Sequence, residues 1–316
     1  MQSEDWKTFL SNYAVPGTEQ HIFPPESSIL CDLSGSGLLQ ISGMDAQKLL
    51  QGQLTCDVTT VRPGYSSMGA HCNSQGRIIS LFYLFQFRDS YYLQMPRSMV
   101  AIALDALKKY AVFYKVELTD ASETLITIGY SGNHFSPEIH TNAANVTLGT
   151  GNNRCMIIAE PEAIKPIWDM LSRGAKIASI YSWKHFNIRD GLPAIYPETS
   201  EKFLPHELNL DKLNAISFEK GCYTGQEIIA RMHYRGKLKN HMYLTKITSS
   251  VAPLPGDDIS SVQGQDIRAS GLVVDACRED KNNYIALITT DESNVKNDHL
   301  FLDHDYKAIF TFLTNM

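Results

Sequence analysis

With 316 residues, 43% of them hydrophobic, the chain is too long for one ordinary core and suits two or three packed units. Its 28 basic and 34 acidic residues leave a formal charge of -6, which argues against broad, nonspecific nucleic-acid binding and leaves room only for local basic patches. The opening MQSEDWKTFL has acids and no signal-peptide core, and no segment reaches the roughly 18 uncharged residues of a membrane span, so a cytoplasmic protein without membrane contact is expected.

Residues 1–27 read as an N-terminal extension. SILCDLSGSGLLQISG then looks like two short strands turning at Ser34-Gly35-Ser36-Gly37, and Ser42 with Asp45 three residues on marks a helix start. That helix places Ala46, Leu49, Leu50 and Leu54 on one face. RIISLFYLFQF and YYLQM flank a hairpin signal at Arg88-Asp89-Ser90, and a helix follows with apolar spacing through Val100, Leu104 and Leu107. FYKVEL returns as a strand. This order favours an α+β arrangement over a doubly wound parallel sheet.

A second α+β unit is expected over about 121–180, from TLITIGY through a polar, turn-rich stretch to strand RCMIIAE and the helix around AIKPIWDMLSRG. The chain then returns to the first unit over 181–235. From 236 to 316 the pattern changes to short strands divided by Gly, Asp, Asn and Pro, the signature of a small antiparallel barrel or sandwich.

The six cysteines, at 31, 56, 72, 155, 222 and 277, form no C-x-x-C pair and no zinc-spaced cluster. They read as reduced thiols without a dedicated metal site. Cys222 stands out in KGCYTGQE, residues 220–227. Thr224 and Glu227 have capping-box spacing, with a helix over 225–234 burying Ile228, Ile229 and Met232 and a left-handed stop at Gly236. A thiol just outside a helix N-terminus, with Lys220 two residues before it, is placed to favour thiolate; a small residue packed between glycines is the competing reading. Arg231, His233, Arg235, Lys237, Lys239 and His241 follow, either as a solvated face or, with Lys220, as an anion site for phosphate, RNA or a polycarboxylate tail.

KGCYTGQE followed by IIARMHYRGKLK resembles the signature of the YgfZ family of folate-binding, tRNA-modifying proteins, whose mitochondrial relatives act in iron–sulfur protein maturation. LLQGQLTCDV, GAHCNSQGR, LKKYAVFYKV and GLPAIYPETSEKFLPHELNL agree in order, and the resemblance runs from about residue 28 to the end. It implies a fold shared with the glycine-cleavage T-protein, namely two ferredoxin-like units plus a C-terminal β-barrel around a central folate channel.

The resemblance also implies tetrahydrofolate or a derivative as cofactor, iron–sulfur enzymes as clients, and Cys222 at the channel mouth as the functional thiol. Direct contact with tRNA is a weaker implication. T-protein-like aminomethyltransferases carry an aspartate pair after the N-x-x-G turn; here Asn73-Ser74-Gln75-Gly76 leads to Ser80 and Leu81, neither able to act as a carboxylate. A one-carbon transferase with a relocated acid/base group is the alternative. Trp183 matches a tryptophan implicated in folate binding, and its indole suits stacking on a flat ring. A second family tryptophan appears here as Ser36. The family's acid for the pterin amino edge falls at Arg189, beside Asp190, and Gln53, Asn73, Tyr223 and Gln226 are further candidate folate contacts.

Overall fold

The computed structural model describes all residues except 1, 14–21, 25, 133–141, 149–153, 237, 264–265, 296–299 and 315–316. In chain order, helix α1 (Gln2–Leu10) precedes β1 (Ile29–Asp32), β2 (Gly37–Ser42), α2 (Ala46–Gln51), β3 (Ser66–Cys72), β4 (Ile78–Phe87), β5 (Ser90–Met95), α3 (Val100–Ala111) and β6 (Glu117–Asp120). Next come β7 (Ile126–Ser131), β8 (Ala144–Thr147), β9 (Arg154–Ala159), α4 (Pro161–Ser172), β10 (Lys176–Ala178), α5 (Ile180–Arg189) and α6 (Gln226–Arg235). The last stretch holds β11 (Asn240–Thr248), β12 (Asp258–Gln263), β13 (Asp266–Arg278), β14 (Asn283–Asp291), α7 (Glu292–Val295), β15 (Leu300–Leu302) and β16 (Ile309–Thr314).

Three sheets result, ordered β3-β4-β5-β2-β6, β10-β1-β7-β9-β8 and β15-β12-β13-β14-β11-β16. The two strands of SILCDLSGSGLLQISG both form, yet they are not a hairpin. β1 pairs with β7 and β10 in the second sheet, while β2 pairs with β5 and β6 in the first. Asp32 ends β1 by accepting from the Ser34 N–H and from the Trp6 indole N–H, which steers the chain out of the sheet. The first two sheets are therefore interleaved in sequence, and each has five strands where the resemblance implies two ferredoxin-like units.

Helix α1 is a packed element. Trp6 is buried edge-on against Trp168 of α4, and Lys165 of α4 pairs with Asp5. Strand β8 arises from a stretch whose polar composition reads as loop; Ala144 and Val146 are its buried contribution. In the third sheet all pairings are antiparallel, with bulges at Ile259/Ser260, Val273/Asp275 and Leu244/Thr245 that curl it. Its edges β15 and β16 approach without pairing, β15 being three residues long, so the expected barrel is a curled half-barrel. No helix among the described residues is long and apolar enough to cross a membrane.

The main core covers both faces of the first sheet, and on the face turned to α3, away from α5 and the half-barrel, sits a polar anomaly. His71 and Ser80 lie opposite each other on β3 and β4, fully buried, and neither His71 nitrogen nor the Ser80 hydroxyl has a hydrogen-bond partner among the described residues. Burial, helped by the nearby Lys109 charge, pushes the His71 pKa down to about 4. The folded state thus holds neutral imidazole while the unfolded chain protonates near 6.5, so stability is full above that pH and falls as pH drops from 6.5 towards 4. The loss is on the order of 3 kcal/mol. His71→Phe should flatten this fall, seen as urea midpoints that differ less between pH 7 and pH 4.5 than those of the wild type.

Candidate functional site

The KGCYTGQE loop is held by a run of contacts to residues 52–56. The Ser217 N–H donates to the Thr55 carbonyl, the Thr55 hydroxyl donates to the Ala215 carbonyl, and the Thr224 N–H donates to the Gly52 carbonyl. Lys220 completes the run. Its buried ammonium donates to the carbonyls of Leu54 and Cys56, both at 2.8 Å, and lies 5.2 Å from the centroid of the buried Tyr223 ring. Burial lowers its pKa to about 8. Lys220 is thus a tie between two backbone segments, and the anion site expected to include it loses that cation.

The capping box is replaced by another arrangement. The Thr224 hydroxyl donates to Gln53 Oε1 at 3.0 Å, and the N-cap of α6 is Gly225, at φ +83. A Cβ there would lie 2.6 Å from the Asn73 carbonyl oxygen and 3.1 Å from Gly76 Cα. Backbone thus meets backbone where α6 starts against the turn 73–77, a contact open only to glycine. Asn73 caps that turn, accepting from the N–H groups of Gln75 and Arg77 while its amide donates to Glu201. Of the α6 apolar residues only Ile229 is fully buried, Ile228 packing over Gly76. Gly236 is extended, φ -84 and ψ 148, and glycine is required there because a Cβ would lie 2.8 Å from Met232.

These ties leave Cys222 exposed, whereas the other five cysteines are buried. Burial pushes the Cys31 and Cys155 thiols up to about 12 and those of Cys56 and Cys277 to about 11. Cys222 is the one thiol of the six open to a partner in solution. Arg231 and Arg235 of α6 are exposed, Arg231 reaching Glu227 at 3.4 Å, and Lys237 lies outside the described residues.

A second constellation surrounds α5. A cavity of about 480 Å³ lies where the first sheet, the second sheet and the half-barrel meet, within the size range of small-molecule sites. Ser36, Leu81 and Trp183 all line it. Ser80, next in sequence to Leu81, faces the other side of β4, so the strand alternation presents leucine to the cavity. Trp183 is only 4% exposed, because its neighbours cover most of the ring. The Arg154 guanidinium carbon lies 4.5 Å from the ring centroid, and the benzo edge packs so closely on Gly129 that a Cβ there would sit 2.8 Å away. The indole presents an edge more than a free stacking face.

Asp190 does not line this cavity. It pairs with the buried Arg154, which also donates to Asn187 Oδ1 at 2.6 Å. Gln53, Asn73, Tyr223 and Gln226 belong to the loop region and are absent from the cavity wall, as is Cys222. The expected folate contacts therefore fall into two groups: Trp183 on the cavity wall with Asp190 held behind it, and the rest around the KGCYTGQE loop.

Sequence reasoning missed the polar wall of the cavity. Lys184 of α5 meets Asp275 of β13 at 2.6 Å, and the Tyr196 hydroxyl donates to the same carboxylate at 3.0 Å. Burial raises the Asp275 pKa, and Lys184 opposes that rise. The signal was an acid inside the apolar run GLVVDAC. Beside the large cavity, a smaller one of about 200 Å³ shares Met68, Tyr83 and Leu192 with it and adds Ser66, Ser67 and Asn214.

Over 274 residues the sequence is 34% identical to the tRNA-modifying protein YgfZ of Aliivibrio fischeri, a match covering 84% of this chain and 85% of that protein. The tRNA-modifying protein YgfZ of Vibrio atlanticus is 31% identical over 294 residues, covering 90% and 89%. Among solved structures, the glycine cleavage system aminomethyltransferase T from Bartonella henselae matches with a TM-score of 0.73 over 98% of this chain and 95% of that one. At 13% identity this is a likeness of fold. No family model matches the chain.

Two substitutions test the loop geometry. Lys220→Met leaves the Leu54 and Cys56 carbonyls without their donor, and a loss of about 1–3 kcal/mol is expected by urea denaturation. Gly225→Ala forces a Cβ into the Asn73 carbonyl at a left-handed φ, so a destabilisation of roughly 1–3 kcal/mol is expected, with faster labelling of Cys222 by a thiol reagent as the loop loosens.

Proposed function

The chain belongs to the YgfZ family, and from that premise we propose that it is a cytoplasmic, folate-binding accessory protein that supports tRNA modification through assembly or repair of iron–sulfur clusters in client enzymes. The observation that carries this reading is the cavity at the junction of the three sheets, large enough for a small organic ligand and walled by apolar side chains with a few convergent polar ones. In this reading it is the family's central folate channel. Tetrahydrofolate or a derivative would supply a one-carbon carrier or a reducible ring; the chain's own residues bind and orient it.

Leu33, Leu81, Phe82 and Leu192 exclude water from the flat ring system, the Trp183 edge abuts it, and Gln94 and Asn187 offer amides to its polar rim. Ser80 and Leu81 stand where the resemblance implies the aspartate pair of T-protein-like aminomethyltransferases, Leu81 being the one on the wall, and this favours binding over one-carbon transfer. The alternative, a transferase with a relocated acid/base group, requires turnover of tetrahydrofolate with an aminomethyl or formaldehyde donor. Cys222 acts outside the cavity, on a partner that reaches the surface.

Cys222→Ala separates the two parts. Folate affinity measured by calorimetry should stay within about twofold of wild type, since Cys222 does not line the cavity, while thiolated tRNA in cells lacking the native gene should remain as low as in the deletion strain. Full restoration of thiolation by the variant would remove the thiol from the mechanism. A tenfold loss of folate affinity in a folded variant would make the loop part of the ligand site.

A further inference from the structure

A folate ring has a demanding edge: the aminopyrimidinone presents two adjacent, parallel N–H donors, from the 2-amino group and N3. Buried donors of this kind need acceptors, and a carboxylate fork matches them best. Asp275 is the one carboxylate among the described residues that line the cavity. The acid expected beside the helix, Asp190, is committed to Arg154 and does not reach the wall. Asn187 has its amide oxygen engaged by Arg154, and Gln94 offers a single acceptor oxygen.

We infer that Asp275, supplied by the half-barrel and held by Tyr196 and Lys184, is the anchor for the aminopyrimidinone edge of the ligand. The inference rests on the folate reading above. Asp275 Oδ2 accepts from the Tyr196 hydroxyl at 3.0 Å, and Oδ1 accepts from the Ala276 N–H at 2.9 Å. A carboxylate oxygen accepts two hydrogen bonds, so each keeps one site for the ligand once the Lys184 ammonium moves off Oδ1. Lys184 is free to do so. Its side chain is 30% exposed, and its ammonium already lies 5.5 Å from the centroid of the Tyr196 ring, a cation–π seat that keeps the counter-charge beside the acid.

The geometry of β13 prepares this arrangement. The bulge between Val273 and Asp275 turns the acid inward, and Cys277 and Glu279 continue on the same face towards the Tyr181 carbonyl and His185 of α5. Tyr196 is fixed in turn by a turn in which its N–H donates to the Thr199 hydroxyl oxygen at 2.9 Å. The carboxylate is thus preorganised by backbone, phenol and helix, and only the lysine has to yield.

The experiment measures binding of folic acid, 2-desaminofolic acid and p-aminobenzoylglutamate to the wild-type protein, to Asp275→Asn and to Tyr196→Phe. Wild type should bind folic acid about 10–100-fold more tightly than the desamino analogue, the loss expected for a charge-assisted hydrogen bond. In Asp275→Asn that discrimination should collapse, with p-aminobenzoylglutamate affinity unchanged; Tyr196→Phe should lose part of it. Equal affinity of the wild type for folic acid and its desamino analogue overturns the assignment and needs no variant to fold. So does an Asp275→Asn protein that melts like wild type and keeps the discrimination. Absence of folate binding by the wild type would overturn the folate reading itself.

Discussion

The ammonium of Lys220 is the contact on which the arrangement of the loop region depends. By donating to the Leu54 and Cys56 carbonyls it ties a segment more than 160 residues away in sequence to the stretch that runs beside β3 of the first sheet. A buried cation is costly unless its donors are satisfied. Here two carbonyl oxygens and the Tyr223 ring satisfy it, and the arrangement fixes the backbone on either side of Cys222 without touching the thiol. The result is an exposed cysteine on a rigid mount, which differs from a cysteine on a mobile loop because its direction of approach is set by the fold.

Helix α5 does for the cavity what Lys220 does for the loop. Trp183 packs on Gly129 of the second sheet, Lys184 meets Asp275 of the half-barrel, His185 meets Glu279 just past the end of the same strand, and Asn187 accepts from Arg154 of β9. Within five residues one helix engages both its own sheet and the half-barrel. The cavity is the space left where these bodies cannot close on one another, and its polar groups lie at the joints. That explains why the wall mixes an apolar lining with a single buried acid.

Much of this was legible in the sequence, for a definable reason. Strands β4, β5, β7, β9 and β11 to β14 follow from alternation and from turn residues, which are local signals. The pairing partners are not local: nothing in SILCDLSGSGLLQISG tells that its two strands enter different sheets, because the choice is made by Trp6 and β7 far away in sequence. The cap of α6 shows the same limit. Thr224 and Glu227 have the right spacing, but the N-cap falls one residue later, at Gly225, and the threonine hydroxyl donates to Gln53. Lys220 read as a surface cation because sequence spacing cannot show two carbonyls waiting for it. Asp275 was passed over because an acid in a strand pattern reads as solvent-facing until a bulge turns it inward.

The thiol and the cavity are separate in space yet not independent. Met68 of β3 lines both cavities, and the next residue, Gly69, lies so close to Cys56 that a Cβ on it would come within 2.5 Å of the Cys56 sulfur. The Cys56 carbonyl in turn holds Lys220, two residues before Cys222. Cavity wall, buried thiol and ammonium thus lie side by side in the packed interior, and only the chain itself leads on from Lys220 to the exposed Cys222. A close-packed interior transmits displacement instead of absorbing it. The absence of a Cβ at position 69 is what lets the strand beside the cavity wall and Cys56 pack so closely.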